Sequence, residues 1–259
     1  MHVPDGFLNA PASLATAAVA ATAVTVSLRR ARTELDERTA PLAGLVAAFV
    51  FAVQMLNFPV GAGTSGHLLG GALAAALVGP HTATRAISVV LLVQGLLFGD
   101  GGLSAVGTNI TLMGVVGVWT GWCVLRAVLA VLPRRPASVV PAAAIGAMLS
   151  VPAAALTFTL LFAVGGAADL PIGWHTLIGI GEALISGLTV SAVVAVRPDL
   201  VYAARGLRPA LKVRTPDGIV EVPQAARAAA RTIGMSGTRG VLVAGAAVAL
   251  LLAGVASFL

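Results

Sequence analysis

The chain has 259 residues, of which 58% are hydrophobic and 10% charged, with a mean hydropathy of +0.97 and a formal net charge of +6. A soluble domain carries about 25% charged residues, so this composition excludes a solvated globule and places the chain in a lipid bilayer. The basic excess sits at the ends of apolar runs, which reads as membrane orientation and not as nucleic-acid binding.

The opening, "MHVPDGFLNAP", has neither the basic region of a secretory signal nor the look of a soluble helix start. Apolar stretches long enough for spanning helices then fall near residues 10–28, 41–57, 67–79, 84–98, 109–132, 139–164, 173–196 and 240–258. The expected fold is an all-α integral membrane protein, a bundle of about seven transmembrane helices plus one appended C-terminal helix. The first stretch, rich in Ala, Ser and Thr, lets helix backbones approach closely, either within the bundle or against a partner protein. The third is short, and the Gly-rich "VGAGTSGHLLGG" at its start predicts non-helical backbone, which a bilayer tolerates only where it is buried in protein or lines a cavity.

Fifteen of the sixteen basic residues are Arg, and the sole lysine, Lys212, is followed by Val213. No G-x-x-x-x-G-K-S/T loop is therefore present, and any ATP-driven step needs a partner ATPase. With the N-terminus outside, all sixteen basic residues fall on inner loops. The positive-inside rule then places 1–9, 58–66, 99–108 and 165–174 outside, on the face where three polar, Gly-rich segments could build one pocket. The single cysteine, Cys123, excludes an intrachain disulfide and a Cys-rich metal site, leaving nitrogen and oxygen ligands.

A bulky second residue predicts that Met1 is retained with its α-amine free. The Met1 amine, the His2 amide nitrogen and the His2 imidazole then form consecutive donors, with five- and six-membered chelate rings around a metal able to displace the amide proton. His67 is the candidate for a fourth nitrogen. Four nitrogens in a plane suit Ni(II), Cu(II) or low-spin Co(II), whereas Zn(II) favours a tetrahedron.

"MHVPDGFL", "FAVQMLNFPVGAGTSGHLLGGALAAALVGP", "LLVQGLLFGDGGLSAVGTNITLMGVVG" and "IGEALISGL" occur in that order. Together they closely resemble the CbiM/NikM family, the substrate-binding membrane subunits (S components) of energy-coupling-factor (ECF) transporters for nickel and cobalt. The resemblance spans about residues 1–200. It implies a helical bundle whose first residues tuck into the core from outside, with the metal held by Met1, His2 and His67. It also implies Ni2+ or Co2+ as transported substrate, location in the cell (inner) membrane, and coupling to two ATPase subunits and a transmembrane T component. The "GTSGHLLGG" form of the loop looks more like the nickel branch.

Candidates for supporting the ligands, from the same motifs, are Asn57, Ser65, Thr64, Gln54, Gln94 and Asn109, since a ligating imidazole usually donates its other N–H to an oxygen. Glu182, an acid inside an apolar run, reads either as a proton relay or as a hydrogen-bonded helix tie, the tie being favoured. His81 and His175 have no matching partners and read as structural. Residues 1–198 form the expected metal-binding core. Residues 199–259 form a linker and a C-terminal segment in which "TPDGIVEV" resembles a diverged PDGLE module. The expectation is an ATP-driven importer subunit and not an enzyme, with HExxH absent; the alternative is an ATP-independent nickel or cobalt permease.

Overall fold

The computed structural model describes residues 2–35, 39–56, 58–61, 64–164, 172–207, 211–215 and 218–222. Met1, Asn57 and the expected helix at 240–258 lie outside the described residues.

Helix α1 (Ala10–Arg30) starts where Asn9 Oδ1 accepts the Ala12 N–H at 2.9 Å, satisfying one of the free donors of the first turn. It ends on Arg29 and Arg30, whose charge complements the carbonyl end of the helix. Helix α2 (Ala40–Gln54) leads into a short antiparallel hairpin, β1 (Phe58–Gly61) with β2 (Thr64–Gly66). Helix α3 (Gly71–Val78) and helix α4 (Pro80–Phe98) follow, then α5 (Val106–Val131), α6 (Val139–Val164) and α7 (Ile172–Val196). The last described element is a second hairpin, β3 (Leu211–Thr215) with β4 (Gly218–Val222).

Each of the first seven apolar stretches thus contains a helix. Five helical segments have the length and composition to cross a membrane: Ala10–Thr33, Pro80–Phe98, Val106–Val131, Pro136–Ala163 and His175–Val196. The expected count of seven spanning helices is not reached among the described residues, because α2 and α3 are shorter. Helix α3 begins at Gly71 and not at 67, because Gly70 adopts a left-handed conformation (φ 72°) and the backbone before it is tied to side chains. The strands were not anticipated; in β3 and β4, Lys212, Arg214 and Glu221 alternate with valines, the two-residue period of a ribbon.

All eight residues of α3 are buried. A helix apolar on every side belongs inside a bundle, and α3 packs against α2, α4, α5, α6 and α7. Close approach requires small residues: a Cβ on Gly121 of α5 would lie 2.9 Å from Ala72 Cα, and one on Gly146 of α6 would lie 2.5 Å from Gly121 O.

At the Arg-rich end, Glu34 Oε1 accepts the His81 N–H (3.0 Å) and Oε2 the Thr82 N–H (2.6 Å), covering the first turn of α4. Arg205 Nη1 donates to the Glu34 carbonyl at 2.8 Å, fastening the segment after α7 to the loop after α1. His81 packs edge-on to Trp119 and lies 3.4 Å from Ser27 Oγ. The opposite end of the bundle gathers residues 2–5, 66–70 and 100–109.

Candidate metal site

The chain before α1 is pinned residue by residue. The Val3 N–H donates to Asn109 Oδ1 at 2.8 Å, Asn109 Nδ2 donates to the Val3 carbonyl at 3.2 Å, and the Gly102 N–H donates to the same carbonyl at 2.9 Å. Two residues later Asp5 Oδ1 accepts the Ser104 N–H (2.7 Å) and hydroxyl (2.5 Å), bonds that hold its carboxyl below the usual range. Gly102 makes this fit possible, since a Cβ there would sit 2.6 Å from Pro4 C and from Asp5 Oδ1. Asn109 stands at the start of α5, just before a wide π-helical stretch over Ile110–Gly117. Such bulges recur at functional sites.

Held this way, His2 meets His67. Their rings stack with centroids 4.5 Å apart and planes 19° from parallel. The His2 side chain is 4% exposed and His67 1%. His67 Nδ1 lies 2.9 Å from the Leu68 carbonyl, and because a carbonyl can only accept, Nδ1 carries the hydrogen. Nε2 is then left as a bare lone pair. Burial holds this imidazole well below its ordinary pKa, so the ring is neutral and ready to ligate.

Among the described residues, His67 Nε2 and both ring nitrogens of His2 are buried without a hydrogen-bond partner. Asp100 Oδ1 lies 3.0 Å from His2 Nδ1, within ion-pair distance but without hydrogen-bond geometry. Buried imidazole nitrogens left without partners are costly, at about 1–3 kcal/mol each, and since an uncharged imidazole offers one lone pair, His67 Nε2 and one nitrogen of His2 are the pair a metal ion would use. Among the described residues no three His, Cys, Asp or Glu side chains converge on a single point. A metal held here would draw on backbone donors as well. The stacked rings aim their lone pairs along parallel planes, so one ion bridging both requires a ring to turn out of the stack.

Of the remaining candidates, Gln54 Nε2 donates to the Leu69 carbonyl at 2.7 Å, two residues from His67. Gln94 is fully buried, with both polar side-chain atoms lacking a partner among the described residues. Thr64 and Ser65 lie on β2. His81 stands at the far end, and His175 is buried early in α7. Asp100 and Asp5 were not singled out from the sequence; their position in the "GDGG" loop and the opening motif was the available signal. Glu182 proves to be a tie: Oε2 accepts the Leu69 N–H at 2.7 Å and Oε1 the Gly70 N–H at 2.8 Å.

A multi-helix membrane bundle whose N-terminal segment brings two buried imidazoles together is an architecture suited to carrying a metal ion. Residues 2–200 match the family model CbiM, described as the cobalt uptake substrate-specific transmembrane region. The chain belongs to the CbiM family and is a membrane component of nickel or cobalt transport. It is 36% identical over 204 residues to a Haloquadratum walsbyi chain provisionally named a metal transport protein, covering 78% of this chain and 94% of that one. It is 44% identical over 117 residues to the fused nickel transport protein NikMN of Rhodobacter capsulatus, covering 45% and 34% of the two chains. Over 129 residues it is 39% identical to the cobalt transport protein CbiM of Geobacter sulfurreducens, covering 49% and 37%. A crystal structure of a truncated transition metal transporter superposes with a TM-score of 0.68 at 29% identity, covering 75% of this chain and 99% of that one.

Proposed function

We propose that the chain is the substrate-capturing component of an ATP-driven energy-coupling-factor importer for nickel or cobalt. The ion enters from outside and is held in a square of four nitrogens: the Met1 amine, the His2 amide and Nδ1, and His67 Nε2. The observation that supports this is the pairing of His2 and His67, whose ring nitrogens lack partners among the described residues, beside a segment gripped by Asn109.

Capture proceeds by displacement. The ion takes His2 Nδ1 away from Asp100, the ring leaves the stack with its hydrogen on Nε2, and the amide proton passes to water as the two chelate rings close. A planar field of strong nitrogen donors favours Ni(II) or low-spin Co(II) and disfavours Zn(II). Two ATPase subunits and a transmembrane coupling component then reorient the bundle, and the Gly-rich loops at 61–66 and 99–107 close the outer access. The protein sits in the cell membrane with its N-terminus outside, and residues 199–259 form a module of the PDGLE type.

The test is nickel binding to the native chain and to one bearing a single added residue ahead of Met1. The extension moves the amine out of the chelate and should abolish high-affinity binding; retained affinity contradicts the site. The permease alternative is decided separately. Full-rate uptake by the purified chain in vesicles, with neither ATP nor partners, would overturn the importer assignment.

A further inference from the structure

Glu182 lies 113 residues from Leu69 and is 1% exposed in α7, yet its carboxylate is spent on two adjacent backbone amides beside the metal pocket. Two consecutive N–H groups facing the two oxygens of one acid form an anion-binding nest. Which amides these are gives the contact its meaning. The Leu69 N–H held by Oε2 and the Leu68 carbonyl that accepts from His67 Nδ1 belong to the same peptide unit. A peptide unit is rigid and planar, so the carboxylate holds one edge of the plate whose other edge orients the imidazole.

We propose that Glu182 is the positioning residue of metal capture, acting on His67 through the Leu68–Leu69 peptide plane. It rests on His67 being a metal ligand. The arrangement is a carboxylate–amide–imidazole relay, in which an amide stands between an acid and a ligating histidine. A charged acceptor on the N–H polarises the peptide and makes the Leu68 oxygen a stronger acceptor. That in turn raises the donor strength of Nε2 and fixes the ring. Gln54 reinforces the segment from α2 by donating to the Leu69 carbonyl, and the Gly70 carbonyl accepts from Ala74 in the first turn of α3. Only a carboxylate satisfies both amides. A glutamine would meet one N–H with its oxygen and confront the other with its own NH2 group.

The experiment measures nickel affinity, the visible ligand-field band of the bound ion and Tm on the full chain. It compares native protein with Glu182→Gln, Glu182→Asp and His67→Ala. Glu182→Gln should weaken nickel binding about 10–100-fold, the usual cost of losing a support behind a ligand, and move the band to lower energy. Glu182→Asp should recover part of both. Native affinity and an unshifted band in Glu182→Gln would overturn the proposal, whatever happens to Tm, and so would weaker binding with an unshifted band. If Glu182→Gln does not fold, the same readings on Glu182→Asp decide, with an unshifted band and native affinity overturning the relay. Native-like binding by His67→Ala refutes His67 as a ligand, an outcome separate from failure of the relay alone.

Discussion

Asn109 grips Val3 by both of its backbone groups, donating to the carbonyl at 3.2 Å and accepting from the N–H at 2.8 Å. Nothing in the side chain of Val3 is read; the amide recognises the path of the main chain two residues into the protein. The grip sets where His2 points. Asn109→Leu keeps the branched shape and removes both bonds, stranding the buried Val3 N–H at about 1–3 kcal/mol, while the Val3 carbonyl keeps the Gly102 N–H. Nickel affinity measured by titration calorimetry should fall about 10–100-fold, with the helical content of the bundle retained.

Gly102→Ala tests the same segment from the other side. The new methyl collides with the main chain of Pro4 and Asp5, so the segment must shift away from the 100–104 loop. Metal binding should be lost while circular dichroism stays helical. Gly6, whose Cβ would meet nothing within 4 Å but whose φ is 74°, is the control for backbone strain without collision. Equal losses at both positions would argue against the close-approach explanation.

Asp100 faces His2 at 3.0 Å and is itself 21% exposed, at the margin of the pocket. Once the amide proton has left, a divalent ion held by one amidate and three neutral nitrogens carries a net charge of about one. At an effective dielectric of about 20, a carboxylate roughly 5 Å away contributes about 3 kcal/mol before screening. Asp100→Asn should therefore weaken nickel binding, by about tenfold after allowance for exposure. It should also slow association and flatten its salt dependence, as read by stopped-flow.

The Arg-rich end offers a pH test. Burial pushes the Glu34 carboxyl above its ordinary value of 4.5, against the pull of the His81 and Thr82 amides. The folded chain thus holds this proton more tightly than the unfolded one. The contribution of Glu34 is fully present below pH 4.5 and declines as pH rises through the raised value. In detergent, the Tm of native protein minus that of Glu34→Gln should fall across that interval. A difference that rises with pH would show that the ionised carboxylate is the favoured form.

The sequence carried the membrane architecture because hydrophobic runs and arginine placement act locally: a 20-residue apolar stretch must bury itself wherever its neighbours lie. The positions of all seven described helices, and the meeting of the opening motif, the "GTSGH" segment and the "GDGG" loop at one end, follow from that logic. His2 and His67 were candidates by residue type and resemblance, and the structure stacks their rings. The strands of residues 58–66 and 211–222 were missed because they are short and their ladders satisfy only a few backbone groups.

The tertiary structure alone decided what supports the site. The acceptor for His67 Nδ1–H is the carbonyl of Leu68, and behind it stands Glu182 on a helix more than a hundred residues away. Backbone oxygens and amides are present at every position and carry no sequence signature. Which of them an acid in α7 reaches depends on how closely the helices pack around the all-buried α3, a spacing set by Gly121 and Gly146 against their neighbours. Local chemistry names the donors; only the packing of distant helices fixes where their lone pairs aim.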